Sequence, residues 1–171
     1  MFDFIRKSQL WEGIDSDWYK ELKGGTPFHL KTIQDVAMYQ IIKDIKFSKI
    51  AEIGGGNSRI LPLISAKNEC CNVDKFEGMD GGPKYEITIP KVQNLKTFLG
   101  EYSDLLKENS FDLLFSVSVV EHVPVNKLDD FFMMAYGSSS QEVLWFMRLI
   151  CILVMHHRLS GLIVLTFTKK H

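Results

Sequence analysis

The sequence predicts an α/β fold in which a parallel sheet is covered by helices on both faces. Short apolar runs alternate with helix-spaced or loop segments along the chain, and one of these runs passes directly into three consecutive glycines. Strands joined by crossovers of this length lie parallel, because an antiparallel hairpin would need only a few connecting residues. At 171 residues the chain is the right size for one such domain.

Taken in order, residues 30–46 place Ile33, Val36, Ala37, Ile41 and Ile45 at helical spacing, with Thr26 and Pro27 as the start signal. KIAEI (49–53) is the first strand, and 57–66 predicts a helix in which Pro62 is tolerated only in the first turn. CCNVD (70–74) is the second strand. Residues 78–94 contain Gly78, Gly81, Gly82, Pro83 and Pro90 and predict a long loop, with LKTFL (95–99) as the third strand. FDLLFSVS (111–118) reads as a buried fourth strand, followed by a helix over 124–135 opened by Pro124. Residues 143–155, VLWFMRLICILVM, are apolar apart from Arg148. As a helix they would span about 20 Å, short of the ~30 Å hydrocarbon core, so a buried helix is expected rather than a membrane span. Ser160-Gly161 breaks the chain before a last strand, LIVLTFT (162–168).

Composition narrows the function classes. Twenty basic residues against 21 acidic ones give a net charge of -1, which argues against a nucleic-acid binder relying on bulk positive charge. Cys70, Cys71 and Cys151 have no CxxC spacing and no Cys/His cluster around them, so neither a metal site nor a disulfide framework is expected. A reducing cytosol is the default compartment, and the charges scattered through the first 17 residues do not fit a signal peptide. Residues 131–171 carry only Glu142, Arg148, Arg158, Lys169 and Lys170 as formal charges. This C-terminal quarter is atypical of the rest of the chain.

The informative segment is AEIGGGNSR (51–59). Glycines let the backbone turn with positive φ and approach a ligand closely, and the helix that follows presents free N–H groups. An ordinary strand-to-helix turn would need one glycine, not three. A dinucleotide site would want G-x-G-x-x-G, but Gly54, Gly56 and Arg59 supply G-x-G-x-x-R, and Glu52 is an unwelcome charge beside a pyrophosphate. For a cationic ligand such as S-adenosyl-L-methionine the same acid is an asset. Asp74 ends the second strand, where a carboxylate can accept from both ribose hydroxyls in either ligand class. Gly100-Glu101-Tyr102 follows the third strand, where an acid can accept from an adenine amine.

With these residues, SFDLLFSVSVVEHVP (110–124) completes a resemblance to the class I S-adenosylmethionine-dependent methyltransferases of the small-molecule branch, over roughly residues 30–130. AEIGGGNSR resembles their first motif, E-x-G-x-G-x-G, with Ser58 where the third glycine stands; VDKFEG (73–78) resembles the ribose motif. The resemblance implies a Rossmann-like sheet of order 3-2-1-4-5, with S-adenosyl-L-methionine as cofactor and S-adenosyl-L-homocysteine as product. It implies Glu52, Gly54, Gly55, Gly56 and Asn57 on the methionine side, Asp74 on the ribose, and Lys75, Phe76, Glu101 and Tyr102 around the adenine. Ser116 would offer its backbone beside the amino-acid part. Before this cofactor-binding domain (30–171), Trp11, Trp18, Tyr19 and Phe28 among charges, with Gly24-Gly25 as a hinge, suggest an N-terminal lid or extension (1–29), the alternative being aromatics packed on the core.

The departures lie in the C-terminal quarter. RLICILVMHHRLSG (148–161) only loosely echoes the family's turn before strand five, and the chain stops after LIVLTFT, so strands six and seven are expected to be missing. A minimal form, a truncated gene or a changed reading frame would each produce this pattern. A bare edge on LIVLTFT would favour a homodimer through this quarter. For catalysis, methyl transfer needs mainly alignment, and a general base only for a poorly ionised acceptor. His122 is the candidate, against a purely structural role at a helix start. Three functions stay open: methyl transfer to a small-molecule acceptor, a non-catalytic or truncated cofactor-fold protein, and an NAD-type oxidoreductase disfavoured by Glu52 and Arg59.

Overall fold

A computed structural model describes residues 2–4, 6–24, 28–44, 49–78, 82–99, 105–106, 110–137, 149–153 and 163–167. Its sheet is built around two buried strands, β2 (Lys49–Ile53) and β5 (Leu113–Val117), which pair in parallel with Ile53 opposite Ser116. Their near-continuous apolar runs are what a strand covered on both faces requires. β3 (Glu69–Asp74) flanks β2 on the other side and β4 (Val92–Lys96) follows it, both parallel. The remaining strands are β1 (Phe2–Phe4), β6 (Leu149–Leu153) and β7 (Ile163–Phe167), and the full order is β1-β7-β6-β5-β2-β3-β4.

Period-2 alternation sends successive side chains to opposite faces. Ile50, Cys70, Leu113, Phe115 and Val117 join one core with Val36, Ala37, Met38 and Ile42 of α3 (Leu30–Ile42). Ala51, Ile53, Cys71, Val73 and Leu114 join the other, with Phe131 and Ala135 of the helix over 128–137. The same alternation places Glu52 and Asn72 on the α3 face, close to the C-terminal ends of their strands. α1 (Lys7–Ile14) and α2 (Asp17–Lys23) pack on α3, so residues 7–23 of the expected lid or extension form two helices of this layer. Leu22 is 1% exposed inside the core, and Trp18 packs on Tyr39 with ring centroids 4.6 Å apart.

Several expected boundaries change. The helix placed over 57–66 is a single turn, α4 (Leu61–Ile64), with the Asn68 amide donating to the Ile64 carbonyl at 3.1 Å just beyond it. Pro62 does sit in its first turn. The third strand begins at Val92, three residues before LKTFL, because an edge strand that alternates half-buried and exposed residues shows little apolar signal. The helix expected over 124–135 is preceded by two 3-10 turns, Val120–His122 and Val125–Lys127, and becomes α5 (Leu128–Gly137). Thr26, Pro27 and Ile45 lie outside the described residues.

The C-terminal quarter differs most. Part of the expected helix over 143–155 is strand β6, parallel to β5, so this segment rather than LIVLTFT is the fifth parallel strand. A short aliphatic run does not declare its own periodicity, and Ile150 and Ile152 favour strand. LIVLTFT supplies β7, antiparallel to β6. Its outer edge is not bare: β1 pairs with it antiparallel, Phe2 opposite Leu165 and Phe4 opposite Ile163. The edge from which pairing of two copies was expected is thus taken by the chain's own N-terminal strand. Among the described residues no helix is long and apolar enough to cross a membrane.

If α2 is part of the main core, Leu22→Ala should cost about 2–5 kcal/mol of unfolding free energy, as a cavity in a closed core does. Urea denaturation followed by far-UV circular dichroism measures this; a loss near zero would mean that α2 is dispensable to the core.

Candidate functional site

The chain leaves β2 and β5 in opposite directions across the sheet, and at such a switch point a crevice opens beyond the C-terminal strand ends. Here that crevice is a cleft of about 660 Å³. Its walls come from the glycine loop after β2, Asp74 and Lys75 after β3, Phe98 and Leu99 after β4, and Ser118 and Val119 after β5. Lys31 of α3 and His122 complete it.

The loop needs its glycines for separate reasons. Gly54 has φ +66, and a Cβ there would lie 2.4 Å from Val119 Cγ2. A Cβ on Gly55 would lie 2.5 Å from Asn72 Oδ1 and 3.0 Å from Glu52 Cδ, so Gly55 is bare to let the loop rest on buried side chains beneath it. This accounts for glycines beyond the one that a tight turn demands.

Those buried side chains fix the loop from below. The Asn72 amide donates to the Gly56 carbonyl at 2.8 Å, and Asp74 Oδ2 accepts from the Gly56 N–H at 3.0 Å. Asp74 Oδ1 accepts from the Phe76 N–H at 2.7 Å, while the Gly54 N–H donates to the Val73 carbonyl at 2.7 Å. The Ser58 hydroxyl donates to Glu52 Oε2 and accepts from the Ile60 and Leu61 N–H groups at 3.2 and 3.0 Å. Serine in place of the third glycine therefore gathers the N–H groups that lead into α4 and ties them to the buried acid. Arg59 turns away from the strands and pairs with Asp35 of α3, which is 3% exposed.

Electrostatics follow from this burial. Burial pushes the Glu52 carboxyl up from its ordinary 4.5 to about 7, opposed by the Ser58 hydrogen bond and reinforced by Asp35 and Asp74. Burial also raises Asp35, against the lowering influence of Lys31 and Arg59. Glu52 lies beneath Gly55 and does not line the cleft. The full negative charge on the cleft wall expected of it is thus not what the geometry provides.

Of the residues singled out by sequence, Gly54, Gly55, Gly56, Asn57, Asp74, Lys75 and His122 line one cleft. Phe76 does not: its ring is 3% exposed and its backbone sits at φ +55. Ser116 is 1% exposed on β5, with its hydroxyl unpartnered among the described residues. Glu101 and Tyr102 lie outside the described residues. Sequence reading missed Asn72, Lys31 and Phe98. Asn72 was legible as a polar residue at a buried strand position. Phe98 was assigned to a strand that ends before it, and Lys31 carries no local motif. The Lys75 ammonium stands 3.6 Å over the Phe98 ring, a cation–π pair on the cleft wall. Among the described residues no three His, Cys, Asp or Glu side chains are grouped to hold a metal.

No protein-family model and no curated protein matches the sequence. Solved structures do match its fold. Haemonchus contortus phosphoethanolamine N-methyltransferase 2, in complex with phosphomonomethylethanolamine and S-adenosylhomocysteine, aligns with a TM-score of 0.55 and 17% identity over 88% of this chain and 37% of its own. The methyltransferase domain of bacterial CtHen1 gives 0.52 and 16% identity over 71% and 66%. A candidate S-adenosyl-L-methionine-dependent methyltransferase from Methanococcus maripaludis gives 0.50 and 12% over 88% and 66%. The fold is the Rossmann-like fold of these methyltransferases. The chain spans between 37% and 66% of the length of these three structures.

The raised Glu52 carboxyl has a signed consequence. Below pH 4.5 it is protonated whether the chain is folded or not; between 4.5 and about 7 only the folded state keeps the proton. Stability from this group is therefore full at low pH and lost as pH rises through about 7, by about 3 kcal/mol in all. Glu52→Gln should keep the Ser58 contact and flatten this fall, measured by urea denaturation at pH 5 and pH 8. Parallel pH dependence in parent and variant would place the proton elsewhere.

Proposed function

We propose that this chain binds S-adenosyl-L-methionine in the cleft and transfers its methyl group to a small-molecule acceptor. The observation that carries this reading is Asp74, whose two carboxylate oxygens stand at the cleft wall with one backbone N–H each. Each oxygen keeps acceptor capacity, so the pair can take both hydroxyls of a ribose without releasing the loop.

The residues present fit the cofactor. A volume of about 660 Å³ falls within the few-hundred to thousand Å³ of small-molecule sites. Phe98 and Leu99 offer apolar surface for a purine beside Asp74, and the bare glycine loop admits a chain running along its backbone. The arrangement does not favour a dinucleotide, because the loop arginine that could meet a pyrophosphate is engaged by buried Asp35. When bound, the cofactor supplies a methyl group already activated on a sulfonium. The work left to the protein is to align an acceptor and keep it there. Val119 and His122 form the wall nearest the β5 end of the cleft, and His122 would hold the acceptor's departing proton where the acceptor is a hydroxyl or amine. The small phosphoamine in the Haemonchus complex supports an acceptor of that size.

Isothermal titration with S-adenosylhomocysteine and with NAD tests the binding half; the expected result is binding of the first and not the second. Asp74→Asn replaces one charge-assisted acceptor by a donor, and its affinity for S-adenosylhomocysteine should fall about tenfold or more. A melting midpoint close to the parent's would show that the loop still stands. Unchanged affinity would remove the ribose assignment. A methyl-acceptor screen with parent and His122→Gln then separates transfer from binding alone.

A further inference from the structure

Glu52 and Asn72 stand opposite each other in the register of β2 and β3. Both are buried, at 4% and 0% exposure, and both reach under the glycine loop, where a Cβ on Gly55 would meet Asn72 Oδ1 and the Glu52 carboxyl together. The Gly56 carbonyl takes the Asn72 amide N–H, which leaves Oδ1 on the other side of that amide. This buried oxygen has no donor among the described residues. Glu52 Oε2 accepts from the Ser58 hydroxyl, which thereby spends its one proton. Phe115, opposite Glu52 on β5, has no polar group in its side chain. An ionised Glu52 would set acceptor beside acceptor in a buried space, whereas the carboxylic acid has the hydrogen that Asn72 Oδ1 lacks.

We propose that Glu52 holds a proton, shares it with Asn72 Oδ1 and so locks the glycine loop, and that loss of this proton releases the loop and weakens nucleoside binding. Its ligand half rests on the methyltransferase reading above; the lock itself does not. The groups around Glu52 favour the neutral acid. Burial pushes its carboxyl up to about 7, reinforced by Asp35 on α3 and Asp74 on β3, against the Ser58 hydrogen bond and the Lys31 ammonium. Arg59 is engaged by Asp35, and burial pushes the Cys70 thiol on β3 up to about 12, so it adds no charge. Once ionised, Glu52 draws the Asn72 amide N–H to itself. The amide must rotate to supply it, and Oδ1 then faces the Gly56 carbonyl that it had anchored. Only the Asp74 bond to the Gly56 N–H remains of the two holds on that residue. Affinity is thus full while the folded chain keeps the proton and falls as pH rises through about 7.

The test reads the full chain with and without ligand. Without ligand, the Gly55 and Gly56 amides and the Asn72 side-chain amide should shift together in proton–nitrogen correlation spectra as pH is raised from 6 to 8.5. In Glu52→Gln they should stay in place, because the glutamine amide donates to Asn72 Oδ1 at every pH. With ligand, isothermal titration should show S-adenosylhomocysteine affinity falling about tenfold over the same range in the parent and about twofold or less in Glu52→Gln. Thermal melts at both pH values establish that the chain is folded in each titration. Loop resonances that do not titrate, or that titrate equally in Glu52→Gln, overturn the proposal. An affinity that stays level or rises with pH overturns it as well, a rise being the sign of a carboxylate that attracts the ligand's ammonium. If the parent binds no S-adenosylhomocysteine at either pH, the methyltransferase reading falls, and the ligand-free spectra still decide whether the Glu52 proton holds the loop.

Discussion

Holding a three-glycine turn in one conformation is the constraint on which the rest of the site depends. Glycine loses more backbone freedom on ordering than any other residue, so such a turn does not organise itself. Its order comes from β3, through Asn72 on the Gly56 carbonyl and Asp74 on the Gly56 N–H. The two residues alternate on the same face of one strand, so strand geometry sets the spacing of both anchors. Removing the Asn72 amide would leave a carbonyl without its buried partner, a cost above the value of one hydrogen bond. Asp74 serves twice, since the carboxylate that faces the cleft also shapes the loop that forms one of its walls.

A second consequence concerns the N-terminal layer. Arg59 reaches out of the glycine loop to Asp35, which sits among Thr32, Gln34, Val36 and Ala37 on the buried part of α3. A buried ion pair adds little net stability, because desolvation offsets most of its attraction. Its value here is positional: it ties the second turn of α3 to the loop. α1 and α2 then pack on α3, in the same core that holds Leu22, Trp18 and Tyr39. The aromatic residues of the N-terminal segment that suggested a moving cover divide accordingly. Trp18 and Tyr19 pack against the core, while Trp11 and Phe28 stay about half exposed.

Legibility in the sequence followed physical locality. The strands KIAEI and LLFSV declared themselves because a parallel strand covered on both faces is predominantly apolar, and the glycine loop because glycine suits the left-handed backbone at Gly54 and Gly56. Asp74 was legible from its position at a strand end. β4 was read late because VQNLK has only two apolar residues, Val92 and Leu95, as an edge strand can, and LKTFL is the more hydrophobic neighbour. β6 was read as helix because four aliphatic residues around Cys151 fit either periodicity. The pairing of β1 with β7 joins residues about 160 positions apart, and no local pattern announces a contact of that range. Glu52 shows the sharper limit. Sequence placed the acid correctly next to the glycines, but its charge depends on burial, and burial depends on which face of β2 turns toward α3.

Two non-glycine residues complete the case that the cleft is shaped in advance of any ligand. Phe76 after β3 and Ser118 after β5 both adopt left-handed backbones, at φ +55 and +57. Such conformations cost about 1–3 kcal/mol each and persist only where the surroundings over-determine them. At Phe76 the determinants are visible: its N–H is held by Asp74 and its ring is buried. At Ser118 the chain turns off the end of the most buried strand to bring Val119 against Gly54, where a Cβ would clash. The two turns thus bracket the glycine loop, one anchored by the carboxylate that faces the cleft and one requiring the loop's missing side chain. Backbone strain on both flanks of the same crevice, each part compensated by a contact to the loop, is what preorganisation of a binding site requires.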